Sequence, residues 1–393
     1  MLDEMRIVSN FACVPKRLLD VVTGYVGFLT LTMRRHTYRV AAETLGLHES
    51  RFSSFMNSEE APWIAQEVLS RATRRRLARA KNSNRLTIIV DATILRRRGR
   101  GVENVGFCHS GNGLVKGHRF INYVVQSGDG KIIPIQSVPV YTKDYCRDHR
   151  MAYETEIETV RNWILALPDL GWLTPAQIKS AVFLLDSGYD AKPVQRAIAA
   201  IGANFVMALK SSRSVNGKRV AELFKRPTRW LKNQSIRLTA GSGKKGTRRD
   251  YSVRTARGAK LKGFGLANVV CSIAESRRNK PKKFIAASDL TMGPREIVTW
   301  YTRRWAIEAW HRDVKQNFGF GDCRASKFTA IEAHVSFCLV AYLLQKERGR
   351  EQERLEDYLR LKQLRSINSE LTRFGSAGKA KNLISAALQA MAA

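Results

Sequence analysis

Two short apolar runs, each closed by an aspartate, constrain this chain more than any other feature. Leu86, Thr87, Ile88, Ile89 and Val90 lead to Asp91, and Ala181, Val182, Phe183, Leu184 and Leu185 lead to Asp186. A continuous apolar run of this length, bounded by polar residues, is the pattern of a central strand buried on both faces. Asp91 is followed by another apolar pair, Ile94 and Leu95, so its carboxylate interrupts a strand. Burying that charge unpaired is costly enough that a metal ion or a cationic side chain must stand beside it.

A second polar arrangement lies at residues 294 to 317, PREIVTWYTRRWAIEAWHRDVKQN. Pro294 suits the first turn of a helix, no proline follows, and Ile297, Trp300, Ile307 and Val314 recur at helical spacing. The pattern predicts one long helix. With Tyr301 at zero on the helical wheel, Arg304, Glu308 and Lys315 fall at about 300°, 340° and 320°. One face then carries phenol, guanidinium, carboxylate and ammonium at the rim of the core, an order suited to holding metal and phosphate. Arg304 and Glu308 at i, i+4 also fit an ordinary surface ion pair. Trp300 and Trp305 read as core residues, with base stacking as the alternative.

The charge balance narrows the partners. With 67 Lys+Arg against 34 Asp+Glu, the net charge of +33 points to a polyanion, foremost nucleic acid. At 393 residues and 44% hydrophobic, the chain can bury a sizeable core. No apolar stretch of membrane-spanning length stands out, VSFCLVAYLL at 335 to 344 being the best, so a soluble cytoplasmic protein, nucleoid-associated when bound, and no membrane partner are expected. The six cysteines form no CxxC and the seven histidines no HExxH, which argues against a disulfide framework or a zinc site.

Along the chain, residues 1–84 are expected to be helical and to bind DNA. TYRVAAETLGLHESRFSSFMN resembles a helix-turn-helix broken at Gly46, with Ala41, Ala42, Leu45, Leu47, Phe52 and Phe55 as its core; an ordinary helical hairpin explains it equally well. The run Arg71, Arg74, Arg75, Arg76, Arg79 and Lys81, with Arg85 beyond, reads as phosphate contact. ENVGFCHSG, RFINYVVQSG and KIIPIQSVPVY predict antiparallel strands next to the one bearing Asp91. His118 reads as structural. A helix is predicted over residues 154 to 167, then strand, turn and helix through Asp186, with Asp190 capping the following helix near Pro193, and a strand at NFVMALK.

The order Tyr301-x2-Arg304-x3-Glu308-x6-Lys315 resembles the C-terminal signature (YREK) of one branch of bacterial insertion-sequence transposases of the DDE class. Asp91-Ala92-Thr93 and Asp186-Ser187-Gly188-Tyr189 resemble the settings of that family's first and second catalytic aspartates. The resemblance covers most of residues 86 to 340. It implies an α/β, α+β-type mixed sheet of the ribonuclease H-like kind, with acids from two adjacent strands and a helix converging at a sheet edge. Asp91, Asp186 and Glu308 would then be the catalytic metal ligands, Asp91 bridging two Mg²⁺ ions for which Mn²⁺ may substitute. Tyr301, Arg304 and Lys315 would bind phosphates of the transposon end. The partners would be double-stranded DNA, as terminal inverted repeats and as target, and a second copy in a synaptic homodimer.

The spacing of the acids adds one further expectation. Asp186 and Glu308 are 122 residues apart, too far for a simple connection, so an insertion follows Lys210. Between Lys210 and Lys283 there are 22 Lys+Arg against Glu222, Asp250 and Glu275. A β-rich insertion gripping DNA backbone is expected, with Lys244, Lys245, Arg248 and Arg249 as contacts. The division reads 1–84, 85–209 for the first part of the core, 210–286 for the insertion, 287–345 for the second part, and 346–393 as a helical C-terminal region. The function expected is cleavage of transposon ends and joining of their 3′-OH groups to target DNA. A catalytically silent domesticated DNA-binding protein and a resolvase-like nuclease of the same fold are the alternatives.

Overall fold

The computed structural model of the chain describes residues 9–32, 35–80, 85–110, 113–225, 231–240, 247–275 and 282–347. Its N-terminal part is helical, with α1 (Leu19–Leu31), α2 (Tyr38–Leu45), α3 (Glu49–Met56) and α4 (Glu60–Arg79). Strands β1 (Thr87–Arg96), β2 (Gly106–Ser110), β3 (Gly113–Gln126) and β4 (Ile132–Val140) follow. Next come α5 (Lys143–Asp148), α6 (Glu156–Ala166), α7 (Pro175–Ser180), β5 (Val182–Leu185), α8 (Lys192–Ala200) and β6 (Asn204–Leu209). A strand-rich stretch holds β7 (Ser214–Val215), β8 (Lys218–Arg219), α9 (Val220–Leu223), β9 (Lys232–Ala240), β10 (Thr247–Leu261), β11 (Gly265–Ala274) and β12 (Lys282–Ala287). Helices α10 (Pro294–Arg303), α11 (Trp305–Asn317) and α12 (Phe328–Glu347) complete the described chain.

The strands make one mixed sheet in the order β2-β3-β1-β5-β6-β12-β11-β10-β7-β8, with β4 on β3 and β9 on β10. β1 is antiparallel to β3 and parallel to β5, which is parallel to β6. This is the mixed α/β arrangement expected of a ribonuclease H-like core. The apolar runs explain the centre: Ile88, Ile89, Val90 and all of Val182 to Leu185 are buried, as strands covered on both faces require. Alternation along β3 shows the covering. Asn122 contacts His311 of α11, whereas the next residue, Tyr123, stacks at 3.6 Å between ring centroids on Trp163 of α6. Helices α11 and α6 therefore lie on opposite faces.

The strands after β6 continue this sheet. Phe284 to Ala287 of β12 pair antiparallel with Leu209 to Val206 of β6, covering an edge that the core would otherwise leave open. The N-terminal hairpin forms as the pattern requires. Thr37 caps α2 by accepting from Val40 N, Gly46 ends it in the left-handed region at φ 63°, and Ala41, Ala42, Phe52 and Phe55 are buried. Phe52 meets Tyr25, which in turn meets Phe337 of α12, so the hairpin rests on the longest apolar helix. Residues 328 to 345 are long and apolar enough to cross a membrane, a longer stretch than the sequence pattern indicated, yet they are mostly buried inside the molecule.

Three expectations need correction. The segment 294–317 is two helices meeting at Arg304, where the ladder tightens to i→i+3 bonds from Arg304 N to Tyr301 O and from Ile307 N to Arg304 O. Asp190 does not cap α8. It is buried, accepts from Gln195 Nε2 and Lys210 N, and lies 3.5 Å from Arg213 Nε, tying the end of β6 to the turn before α8. Trp300 is core, but Trp305 is 42% exposed. His334 is structural: fully buried, it accepts from Tyr25 Oη at Nδ1 and donates from Nε2 to Gly319 O. Lys244, Lys245, the side chains of Arg248 and Arg249, and residues 348–393 lie outside the described residues.

Candidate active site

Register between a strand and a helix builds the site. Asp91 and Thr93 stand on the same face of β1, about 6.8 Å apart. Residues four apart on α11 are separated by about 6 Å along its axis, so His311 and Lys315 match them. Accordingly His311 Nδ1 is 3.9 Å from Asp91 Oδ2, and Lys315 Nζ donates to Thr93 Oγ1. Arg304 closes the arrangement from the break between α10 and α11. Its Nη2 bonds Glu308 Oε1 at 2.6 Å and its Nη1 lies 3.8 Å from Asp91 Oδ2. The cation demanded by the buried Asp91 is therefore Arg304, itself only 6% exposed.

Asp186 enters from the neighbouring strand. It follows β5 and caps the short turn Ser187–Tyr189, its Oδ1 accepting from Gly188 N at 2.7 Å. A Cβ at Gly188 would stand 2.9 Å from that oxygen, so any larger residue would crowd the carboxylate. Asp91 and Asp186 line one open cavity of about 560 Å³ with Thr93, Arg96, His109, Arg119, Glu156, Tyr189 and Lys315.

The electrostatics tie the three acids together. Burial drives the Asp91 carboxyl up to about 7, Arg304 opposes this, and Asp186 and Glu308 push it further up. His311 is held down to about 3, chiefly by burial and then by Lys315 and Arg304, so it is neutral. Its Nε2 accepts from Asn122 Nδ2 at 3.0 Å, and Asn122 Oδ1 accepts from Ser137 Oγ at 2.8 Å. Burial, with Arg96 next, also lowers Lys315, while Asp91 works the other way.

Asp91, Asp186 and Lys315 share the cavity, and Arg304 links Asp91 to Glu308 beside it. Tyr301 is beside them but buried, with the Arg304 guanidinium 5.8 Å and Lys283 Nζ 5.4 Å from its ring centroid. Arg74, Arg75 and Arg76 are elsewhere, on α4, where Arg74 is exposed and Arg75 and Arg76 are half-buried. His118 is structural: its Nδ1 accepts from Arg97 Nε, its Nε2 donates to Glu103 O, and burial lowers it to about 4. Sequence reasoning missed Glu156, whose Oε1 accepts from Tyr189 Oη at 2.8 Å and whose Oε2 pairs with Arg119 Nε at 2.9 Å. It also missed His311, for which position i+3 from Glu308 was the available signal.

Three carboxylates from β1, the turn after β5 and α11 provide hard oxygen donors of the kind Mg²⁺ or Mn²⁺ takes. Among the described residues, no three His, Cys, Asp or Glu side chains stand close enough to hold an ion as they are, and Arg304 is the cation beside Asp91 and Glu308. Residues 148–344 match a family model described as Transposase DDE domain, and residues 12–237 match one described as DDE superfamily endonuclease. The chain belongs to the DDE transposase family. The first match contains Asp186 and Glu308 and the second Asp91 and Asp186. A search among curated proteins returned no match. Membership makes this chain a transposase-type nuclease of a superfamily that typically uses divalent metals.

Proposed function

We propose that this DDE family member is an insertion-sequence transposase of the YREK branch that binds transposon ends as a pair of copies, cleaves them and joins the 3′-OH ends to target DNA. The observation that carries the reading is that Arg304 bonds Glu308 and lies beside Asp91, while Asp91 shares with Asp186 a cavity lined by Arg96, Arg119 and Lys315 and feels the charge of both other acids. Asp91, Asp186 and Glu308 would hold two Mg²⁺ ions, which activate a water or 3′-hydroxyl and neutralise charge on the transferring phosphate.

The chain's own residues do the rest. Lys315 opens into the cavity and holds a phosphate next to the scissile one, with Thr93 Oγ1 fixing its Nζ. Arg304, with its planar fork, is suited to bidentate phosphate contact. Neutral His311 cannot give its proton to a leaving oxygen as imidazolium; it orients Asp91 from the buried side, backed by Asn122. The basic insertion and the Arg74 to Arg76 run supply sequence-independent contact along the duplex.

The test is incubation of the full chain with labelled DNA from the flanks of its own reading frame, with magnesium and a target plasmid. Cleavage at the border of an inverted repeat followed by joined product supports the proposal. Binding without either product in magnesium or manganese would leave a DNA-binding protein only.

A further inference from the structure

β3 outruns its partner at the end of the sheet nearest the cavity. Its pairing with β1 ends at Arg96 opposite Gly117, but β3 extends back to Gly113, where β2 is the strand paired with it. Residues opposite one another in such a hairpin share a face, so Phe107 with Lys116 and His109 with Leu114 form one side, and Cys108 with Val115 the other. The two sides differ sharply. Cys108 and Val115 are half-buried, and the Cys108 thiol feels both Arg119 and Glu156 of the cavity wall. Phe107 is 71% exposed and Leu114 58% exposed, diagonal neighbours that make one apolar patch.

Two observations identify the occupant of that patch. His109 and Val115 line the same cavity as Asp91 and Asp186, so whatever lies across the acids passes the hairpin. The surroundings are basic: Arg96 at the end of β1 and Arg98 and Arg100 in the link to β2 are exposed, and Lys116 stands opposite Phe107. From Arg96 to Arg119 the sole acid is Glu103, whose carboxylate accepts from Phe328 N. A second copy of a chain with net charge +33 is repelled by such a surface, whereas a nucleic-acid strand offers phosphates for the arginines and flat bases for the apolar patch.

We propose that the β2–β3 hairpin is a base-stacking element, in which Phe107, backed by Leu114, stacks on an unpaired base of the DNA strand running from the Asp91–Asp186 cavity. This rests on the transposase reading above and adds a base contact to it. Stacking on an aromatic side chain tolerates any base, so the contact holds the strand without reading its sequence.

The experiment uses the full chain and flank DNA in which 2-aminopurine replaces single bases in turn on both sides of the cleaved bond. Binding should change the fluorescence at one or two positions. Phe107→Ala should abolish that change and weaken binding about tenfold, whereas Phe107→Trp should retain both. Because Phe107 is exposed, all three proteins should melt at the same temperature, which separates a lost contact from a lost fold. Magnesium-dependent cleavage by the unaltered chain, with a fluorescence pattern that Phe107→Ala leaves unchanged, overturns the stacking assignment alone. The same holds if Phe107→Ala instead changes the oligomeric state of the DNA-free protein by light scattering. Failure of the unaltered chain to cleave flank DNA at all overturns the transposase reading on which the assignment rests.

Discussion

Replacing Asp91 by asparagine has a calculable effect on folding. The Asp91 side chain is 18% exposed, and its carboxyl lies at about 7 instead of 3.8 because burial outweighs the pull of Arg304. A native-state value above the unfolded one means that the folded chain holds the proton more tightly. This contribution to stability is fully present below about pH 4 and is lost as the pH rises through about 7. The loss approaches about 4 kcal/mol, at about 1.4 kcal/mol per pKa unit. Asparagine keeps the shape of the neutral acid and cannot ionise. In chelator, Asp91→Asn should therefore gain on the parent protein as pH rises, by up to about 4 kcal/mol between about pH 4 and 8. Urea denaturation of both proteins across that range measures the gap. Excess magnesium should narrow it near pH 8 by stabilising only the parent. A gap that is constant with pH would refute the claim that Asp91 carries a desolvated charge among other acids.

Three further outcomes follow from neighbouring contacts. Glu156→Ala frees both Tyr189 and Arg119 and should lower end cleavage about tenfold, an order-of-magnitude expectation for displaced geometry; Glu156→Gln, able to keep the Tyr189 hydrogen bond, should recover most of it in single-turnover cleavage. Lys315→Ala should reduce strand joining without rescue by added magnesium, whereas Glu308→Asp should regain part of its cleavage in manganese, and a metal titration of both distinguishes them. Neutralising Lys244, Lys245, Arg248 and Arg249 together should weaken end binding and flatten the slope of log K against log salt by up to about 3.6, read from binding isotherms at several salt concentrations.

The parts of this fold written in periodicity are legible in the sequence alone. Val90 and Leu185 close apolar runs that can only be central strands, and Gly46 marks the turn between α2 and α3 because a left-handed residue was needed there. What periodicity cannot carry is partner choice. Nothing local in KKFIAA says that β12 will pair with β6 and turn the insertion into more of the same sheet. Helical wheels assume an even ladder, so the break at Arg304, which turns its guanidinium towards Asp91, was invisible to them. Asp190 misled for a related reason: an acid just before a helix resembles a cap, and only the fold brings Lys210 and Arg213 to it. The Glu156 contacts join α6, β3 and the turn after β5 across the cavity, a link between distant segments that no spacing rule encodes.

The central claim is that Asp91, Asp186 and Glu308 form one metal-dependent centre for DNA cleavage. The most direct measurement is magnesium-dependent cleavage of a labelled end by Asp91→Asn, Asp186→Asn and Glu308→Gln, alongside gel-shift binding of the same DNA. Loss of cleavage in all three, with end binding largely intact, is the predicted result. Near-parental cleavage by any one of them would contradict the account and remove that residue from the centre.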